Sequence, residues 1–108
     1  MEKLVEDAER YDNWQPYFIG EIIQAVKREL EASKVPKKKL RDLTESIAFS
    51  VACIIDGSQT FEVDGEEIDP ILTFSIEENE LIHWGGNSSL HEYVHGVAQE
   101  IFEEEDAS

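Results

Sequence analysis

Three histidines and one glutamate have types and spacings that could support chemistry. His91 and His95 are four positions apart, and Glu92 lies between them. Residues four apart share a helix face, so two imidazoles can bind one Zn²⁺ while a nearby carboxylate acts as a base on metal-bound water. His83 is the remaining histidine, and from the end of a strand it could face the start of this helix. One hypothesis is therefore a three-histidine or two-histidine–carboxylate site for zinc or a similar metal.

The five residues 91–95, HEYVH, resemble the zinc site of the zincin metallopeptidases. By that resemblance, the two histidines would be zinc ligands and the glutamate the general base. The longer metzincin pattern continues with a glycine and a third histidine, but this chain has Ala98 and Ile101 at those positions. The resemblance implies a zinc-dependent hydrolase as an alternative function.

The same segment also has a structural explanation. Ser89 and Glu92 have the spacing of a capping box, which needs no metal. Both histidines fall at the margin of the apolar stripe of the last predicted helix, where histidines commonly have structural roles. No Ser-His-Asp set is evident from spacing, although such sets assemble in space. We therefore favour a protein with no catalytic residue and no cofactor, and keep zinc as the alternative.

Charge is distributed very unevenly along the chain. The net charge is −16, yet the residues up to Arg41 are nearly balanced, and every lysine and arginine lies among them. From Asp42 onward there are seventeen acidic residues and no Lys or Arg. Such a surface repels nucleic acid and anionic membranes, whose binding relies on basic side chains, and it attracts a basic partner. The alternative is that the charge serves only to keep the protein soluble.

The acidic residues between the second and last predicted helices form a candidate partner-binding surface. Its members are Glu62, Asp64, Glu66, Glu67, Asp69, Glu77, Glu78 and Glu80. Complementary charge favours fast and specific encounter, so we expect either a basic protein partner or self-association. Five basic residues within residues 34–41 offer a possible contact with an acidic surface, in this fold or in a second copy.

Hydrophobic spacing predicts an α+β fold of one domain, residues 1–108. Helices are expected at about 16–33, 37–56 and 89–104, packed on a small antiparallel sheet of two to four strands within 60–84. Residues 2–12 are a possible additional short helix. The second helix is apolar almost all round near its end, so we expect it at the centre of the fold, covered on most sides.

Shorter signals mark individual turns and ends. Asp64-Gly65 predicts a two-residue hairpin turn, and segments 71–76 and 81–84 predict a second hairpin. Trp14, Tyr17 and Phe18 are expected to anchor the core, and an exposed aromatic contact is the alternative. The acidic tail 104–108 is expected to fray, because acids oppose the dipole at a helix C-terminus.

The leading functional hypothesis is a non-enzymatic, acidic binding or regulatory protein. An immunity-type inhibitor of a nuclease toxin, or another inhibitor that mimics nucleic acid with carboxylates, would have this charge profile. The N-terminus lacks the apolar core of a signal peptide, and the single cysteine, Cys53, allows no internal disulfide. We therefore expect a cytoplasmic location.

Overall fold

The computed structural model describes residues 3–58, 60–77 and 79–107, and it has an α+β fold, as predicted. Three helices carry most of the core, beside one sheet of three strands and one of two. In chain order the elements are β1 (Lys3–Glu6), α1 (Ala8–Ala32), α2 (Lys37–Ile55), β2 (Phe61–Val63), β3 (Glu66–Ile68), β4 (Phe74–Glu77), β5 (Glu80–His83), a 3₁₀ turn (Leu90–Glu92) and α3 (Val94–Ala107). Of the helices in these ranges, none is both long enough and apolar enough to cross a membrane.

The core lies where the three helices meet. Its fully buried members come from α1, α2, the 3₁₀ turn and α3, and they are Ile19, Ile23, Ala48, Ala52, Leu90, Val94 and Ala98. The alanines of α2 allow the neighbouring helices to approach closely, because they add little side-chain bulk. Helix α2 is therefore central, as predicted.

The cover of α2 is less complete than its composition predicts. Leu43, Ile47 and Ile54 remain 38%, 39% and 58% exposed, although their apolar character led us to expect contact on most sides. The three-stranded sheet packs against α1 through β5, and does not cover this face of α2. One side of α2 is therefore open to solvent.

Helix α1 begins eight residues earlier than predicted. Asp7 caps it by accepting a hydrogen bond from the Arg10 backbone N–H at 3.1 Å, so the helix begins at Ala8 and the start expected near residue 16 is wrong. Tyr11 and Gln15 continue the buried i, i+4 track of this helix toward its N-terminus, and Pro16 lies inside it. Burial of that track outweighs the local helix-breaking tendency of proline.

Residues 3–6 form a strand where a short helix was considered for 2–12, and residues 8–12 are helical as the start of α1. Strand β1 pairs in parallel with β5, and Leu4 lies opposite Leu81 and Val5 opposite Ile82. Strand β4 pairs with β5 in antiparallel fashion, which confirms the second predicted hairpin, although β4 begins only at Phe74. The sheet is therefore mixed, with the order β1-β5-β4, where we expected antiparallel pairing alone.

The aromatic residues of α1 do not all enter the core. Trp14 and Phe18 make edge contacts with the Phe74 ring, at centroid distances of 5.8 Å and 5.9 Å. Tyr17 points outward and is 79% exposed, so its predicted role as a core anchor is wrong. Tyr17 directly precedes Phe18, and successive residues of a helix point in different directions, so its side chain faces away from the sheet.

The first predicted hairpin is present as a separate two-stranded sheet. Phe61 lies opposite Ile68, and Val63 lies opposite Glu66. Asp64 and Gly65 have φ values of +52° and +84°, the left-handed conformation that a two-residue turn of this type requires. The Asp-Gly signal therefore determined both the turn and the register.

Candidate functional site

The HEYVH segment is not one continuous helix. Leu90–Glu92 is a 3₁₀ turn, and α3 begins only at Val94, so the two histidines lie on different elements. Nδ1 of His91 is 2.6 Å from Oδ2 of Asp56, and Nδ1 of His95 is 3.7 Å from Oε2 of Glu45. Each ring contacts Phe49, whose centroid is 5.9 Å from both. The two imidazoles therefore each have a carboxylate neighbour and share an aromatic one.

His83 lies apart from the other two histidines, at the end of β5. Its Nδ1 accepts a hydrogen bond from the Gly85 backbone N–H at 3.0 Å, and its carbonyl accepts one from the Asp7 N–H. Within residues 3–58, 60–77 and 79–107, no group of three or more His, Cys, Asp or Glu side chains is placed to hold a metal ion. The described structure thus does not join His83, His91 and His95 into the predicted ligand set.

The predicted capping box is replaced by a cap from a distant residue. Ser89 makes no side-chain hydrogen bond of the capping kind, and its backbone N–H donates to Oε1 of Gln15 at 2.7 Å. The Asp56 carboxylate instead accepts from the backbone N–H groups of Leu90 at 2.9 Å and His91 at 2.8 Å. The cap for this turn therefore comes from the end of α2, more than thirty residues earlier in the chain.

Asp56 is the centre of a buried polar junction. Its side chain is only 2% exposed, and it also accepts a hydrogen bond from the Ser88 hydroxyl at 2.5 Å. Burial alone would raise the pKa of Asp56, but the hydrogen bonds from Ser88, His91 and Leu90 outweigh burial and hold the pKa below its ordinary value. The carboxylate is therefore ionised at neutral pH.

The residue types of this junction match a Ser-His-Asp set, but the hydrogen bonds between them do not. In such a set the histidine contacts the serine hydroxyl and removes its proton. Here the Ser88 hydroxyl donates to Asp56, and the buried serine has no hydrogen bond to His91 among the described contacts. The arrangement caps the 3₁₀ turn.

Asn87 connects this junction to the base of the hairpin. Its side-chain N–H groups donate to the carbonyls of Ile55 at 3.1 Å and Pro70 at 2.7 Å. Its side-chain oxygen accepts from the Leu72 and Ser88 backbone N–H groups at 2.9 Å and 2.7 Å. The segments before and after the hairpin are thus fastened to the body of the protein at one point.

Beyond that point the hairpin extends from the rest of the fold. Strands β2 and β3 contact each other extensively and make no comparably extensive contact with another described helix or strand. We define the hairpin surface as the exposed side chains of residues 61–69. It includes five of the predicted partner-binding acids, which are Glu62, Asp64, Glu66, Glu67 and Asp69.

The two faces of the hairpin differ in character. Phe61, Val63 and Ile68 share one face with Glu66, which lies opposite Val63, and the three apolar side chains are 52%, 47% and 37% exposed. On the other face Glu62 and Glu67 are directly opposite each other, and Oε1 of Glu67 accepts a hydrogen bond from the Thr60 hydroxyl at 2.8 Å. An exposed apolar face is therefore bordered by carboxylates.

Two of the remaining three acids predicted for this surface belong to the other sheet. Glu80 begins β5, is half-buried, and lies opposite Lys3 in the register with β1. Glu77 ends β4, and Glu78 lies outside the described residues. The predicted acidic surface is thus divided between two sheets.

The apolar face was missed by reasoning from the sequence, which considered only the charges. The signal was present in the alternation of Phe61 and Val63 with Glu62 and Asp64, because alternation along a strand places one set of side chains on one face. Comparisons of the chain with protein-family models, curated protein sequences and solved structures find no significant match.

Proposed function

We propose that this chain is a non-enzymatic binding protein of the cytoplasm, and that its hairpin surface docks on a basic protein. The observation that carries this proposal is an exposed apolar face, formed by Phe61, Val63 and Ile68, on a hairpin that carries five carboxylates and no basic residue. This composition matches the general plan of protein interfaces, in which an apolar centre is surrounded by a polar rim.

The energetic properties of the hairpin support a docking role. An isolated two-stranded sheet is marginal in water, and two glutamates directly opposite each other make this one weaker. A partner that covers Phe61 and Ile68 would bury apolar area, and its basic side chains would relieve the repulsion between Glu62 and Glu67. The hairpin is therefore expected to become better ordered when bound.

The partner class follows from the charge. The rim carboxylates attract lysine and arginine and repel phosphate groups, so a basic protein is a better fit than nucleic acid or an anionic membrane. Proteins that bind nucleic acid present such basic surfaces. An inhibitor that occupies the basic surface of a nuclease or a similar protein is the form of this function that we favour.

The test uses two hairpin variants and one control with a matched charge change. Phe61→Ser/Ile68→Ser removes the apolar pair, and Glu62→Gln/Glu67→Gln removes the opposed charges. Glu9→Gln/Glu103→Gln makes the same charge change on α1 and α3, where both side chains are exposed. Immobilised wild-type protein is exposed to cytosol from its source cells, and retained proteins are identified, purified and measured against each variant by calorimetry.

We expect a retained basic protein whose affinity falls at least about tenfold with Phe61→Ser/Ile68→Ser, as for a central contact in an interface. Its affinity should also fall when salt is raised from about 50 mM to about 300 mM, and should be weaker for the charge variant than for the control. Retention of no protein, or of proteins that bind all variants equally, would refute the proposal. Retention of a second copy of this chain would replace it with self-association.

A further inference from the structure

A second unpartnered surface lies between α1 and α3. It is a groove of about 790 Å³ with a floor formed by Gly20, Val97 and Ile101. Pro16, Tyr17 and the polar residues Asn13, Glu21, Gln24, Glu100 and Glu104 complete the lining. We call this surface the acidic groove. Its volume lies within the range of ordinary ligand sites.

Gly20 is responsible for the depth of the groove. A Cβ atom at this position would lie 3.6 Å from Cγ1 of Val97, which is an ordinary contact, so space for a side chain exists there. Glycine is the poorest helix former after proline, and it occupies the interior of the 25-residue helix α1. The fold therefore accommodates a Cβ atom at this position, and we expect a larger side chain there to occupy the groove floor.

The charges of the groove are all negative. Glu21 lies on the α1 side and Glu100 and Glu104 on the α3 side, all three are exposed, and no lysine or arginine lines the groove. In the described part of the chain, no ion pair or side-chain hydrogen bond occupies these carboxylates. Glu100 and Glu104 are four apart on one helix, where like charges repel.

Tyr17 gives the groove an aromatic edge. It is the most exposed of the large apolar side chains in the described ranges, at 79%, and its ring is free to cover an incoming side chain. Tyrosine is enriched among the residues that dominate protein interfaces, and its ring face attracts cations. An apolar floor, an aromatic edge and carboxylates on both sides together favour a cationic, amphipathic ligand.

We propose that the acidic groove binds an amphipathic helix of a basic protein. The apolar residues of that helix would pack on Val97 and Ile101. Its flanking Lys or Arg side chains would lie beside Glu21, Glu100 and Glu104. A helix is favoured over an extended segment because α1 and α3 present no free backbone groups to a strand. A helix satisfies its own backbone hydrogen bonds and can use side chains alone. This inference rests on the proposed function, and it places a second contact with a basic partner on the helical part of the fold.

The test uses isotope-labelled full-length protein and a synthetic 14-residue helical peptide of leucine and lysine, with the leucines on one stripe. As a helix this peptide is about 21 Å long, which is near the length of α1 that lines the groove. A second peptide of the same composition has its sequence scrambled, so that it keeps the charge and loses the stripe. Amide chemical shifts map the binding site and calorimetry gives the affinity. We expect the largest shifts at Gly20, Val97 and Ile101, and weaker binding of the scrambled peptide.

Variants then test the groove itself. Gly20→Leu should weaken binding at least about tenfold by filling the floor, whereas Gly96→Leu, which adds the same side chain at an open α3 position outside the groove, should leave binding unchanged. Glu100→Gln/Glu104→Gln should weaken binding about three- to tenfold, whereas Glu9→Gln/Glu103→Gln should change it much less. Both leucine variants should unfold at least as cooperatively as wild type, because leucine is a better helix former than glycine.

Each other outcome overturns the groove assignment. Shifts confined to the hairpin, equal affinity for the scrambled peptide, or unchanged binding by Gly20→Leu would show that the peptide is held elsewhere or by charge alone. Absence of binding at low salt would also refute it. The hairpin experiment uses different residues and a natural partner, so its result distinguishes failure of the groove from failure of the proposed function.

Discussion

The Asp56 carboxylate joins the end of one helix to the beginning of another. It follows α2 directly, and its two oxygens accept hydrogen bonds from Ser88, Leu90 and His91. An anionic group at a helix N-terminus satisfies otherwise unpaired N–H groups and interacts favourably with the helix dipole. We therefore regard Asp56 as the residue on which the position of α3 depends most.

Removal of this carboxylate should destabilise the protein strongly. Asp56→Ala leaves the Leu90 and His91 N–H groups without their acceptor, so we expect a loss of about 2–3 kcal/mol in the free energy of unfolding. Asp42→Ala, at an exposed position on α2, should change it by less than about 0.5 kcal/mol. Urea unfolding followed by circular dichroism measures both. Equal effects of the two substitutions would contradict the assigned role.

The contribution of Asp56 should also depend on pH. Its pKa in the folded protein is lower than the ordinary value of 3.8, so folding favours the ionised form. The stabilisation is complete above about pH 4–5, and it is lost as pH falls through the lowered pKa of the folded state. The difference in unfolding free energy between wild type and Asp56→Asn should therefore shrink between pH 5 and about pH 2.5. A difference that grows on acidification would show that the pKa is raised instead.

At the scale of elements, Lys27 joins α1 to the end of α3. Its side chain is 5% exposed, and its ammonium contacts Glu105, lies 3.3 Å from Glu31 and is 5.4 Å from the centroid of the Phe102 ring. Burial alone would lower the pKa of Lys27, but hydrogen bonds to Glu105 and Glu31 outweigh burial and raise it. Helix α3 continues to Ala107, although we expected it to end near Glu104, and the contacts of Lys27 lie in this last part of the helix. Fraying of residues 104–108 stays a prediction.

Two substitutions of Lys27 separate packing from charge. Lys27→Ala removes the buried aliphatic stem and should cost about 2–3 kcal/mol of unfolding free energy. Lys27→Met keeps most of that volume, and the glutamates it leaves behind are half-exposed and can be hydrated, so we expect a cost below about 1 kcal/mol. Urea unfolding at pH 7 compares the two variants. Equal losses would mean that the ion pairs, and not the buried stem, stabilise this junction.

At the scale of the whole molecule, the basic start of α2 and the acidic end of α3 lie together at one end of the helix bundle. Lysine at the start of α2 and glutamate at the end of α3 both oppose the local helix dipole. Lys37 and Arg41 nevertheless line the same cavity as Glu31 and Glu105, a space of about 580 Å³. The basic segment 34–41 thus has acidic neighbours within the fold, which was one of the two destinations expected for it.

The net charge of −16 leaves the rest of the molecule repelling itself. Salt screens charges that are more than about 8–10 Å apart at physiological ionic strength, so it should relieve this repulsion. We expect the free energy of unfolding to rise by about 1 kcal/mol when NaCl is raised from about 20 mM to about 300 mM at pH 7. The same titration at about pH 4.5, where part of the carboxylates is neutral, should show a smaller rise. A fall in stability with salt would mean that local ion pairs dominate.

Local patterns predicted the parts of the fold that depend on neighbours in the chain. The bounds of α2, the Asp-Gly turn at residues 64 and 65, and the pairing of β4 with β5 all follow from side-chain periodicity or turn chemistry within about twenty residues. The division of charge at Arg41 and the α+β class could likewise be read from the order of residues. These features involve short-range steric and hydrogen-bonding preferences, which the amino-acid types express directly.

Contacts between distant residues decided the remainder. The parallel pairing of β1 with β5 joins segments more than seventy residues apart, and the Asp56 cap joins residues more than thirty apart. The packing of whole elements decides whether Tyr17 is buried and whether His83 meets His91. A tyrosine or histidine is stable at a buried or an exposed position, provided that its neighbours there pack against it or form hydrogen bonds with it. The candidate docking surfaces belong to this second group, since they exist only where packing leaves an apolar face uncovered.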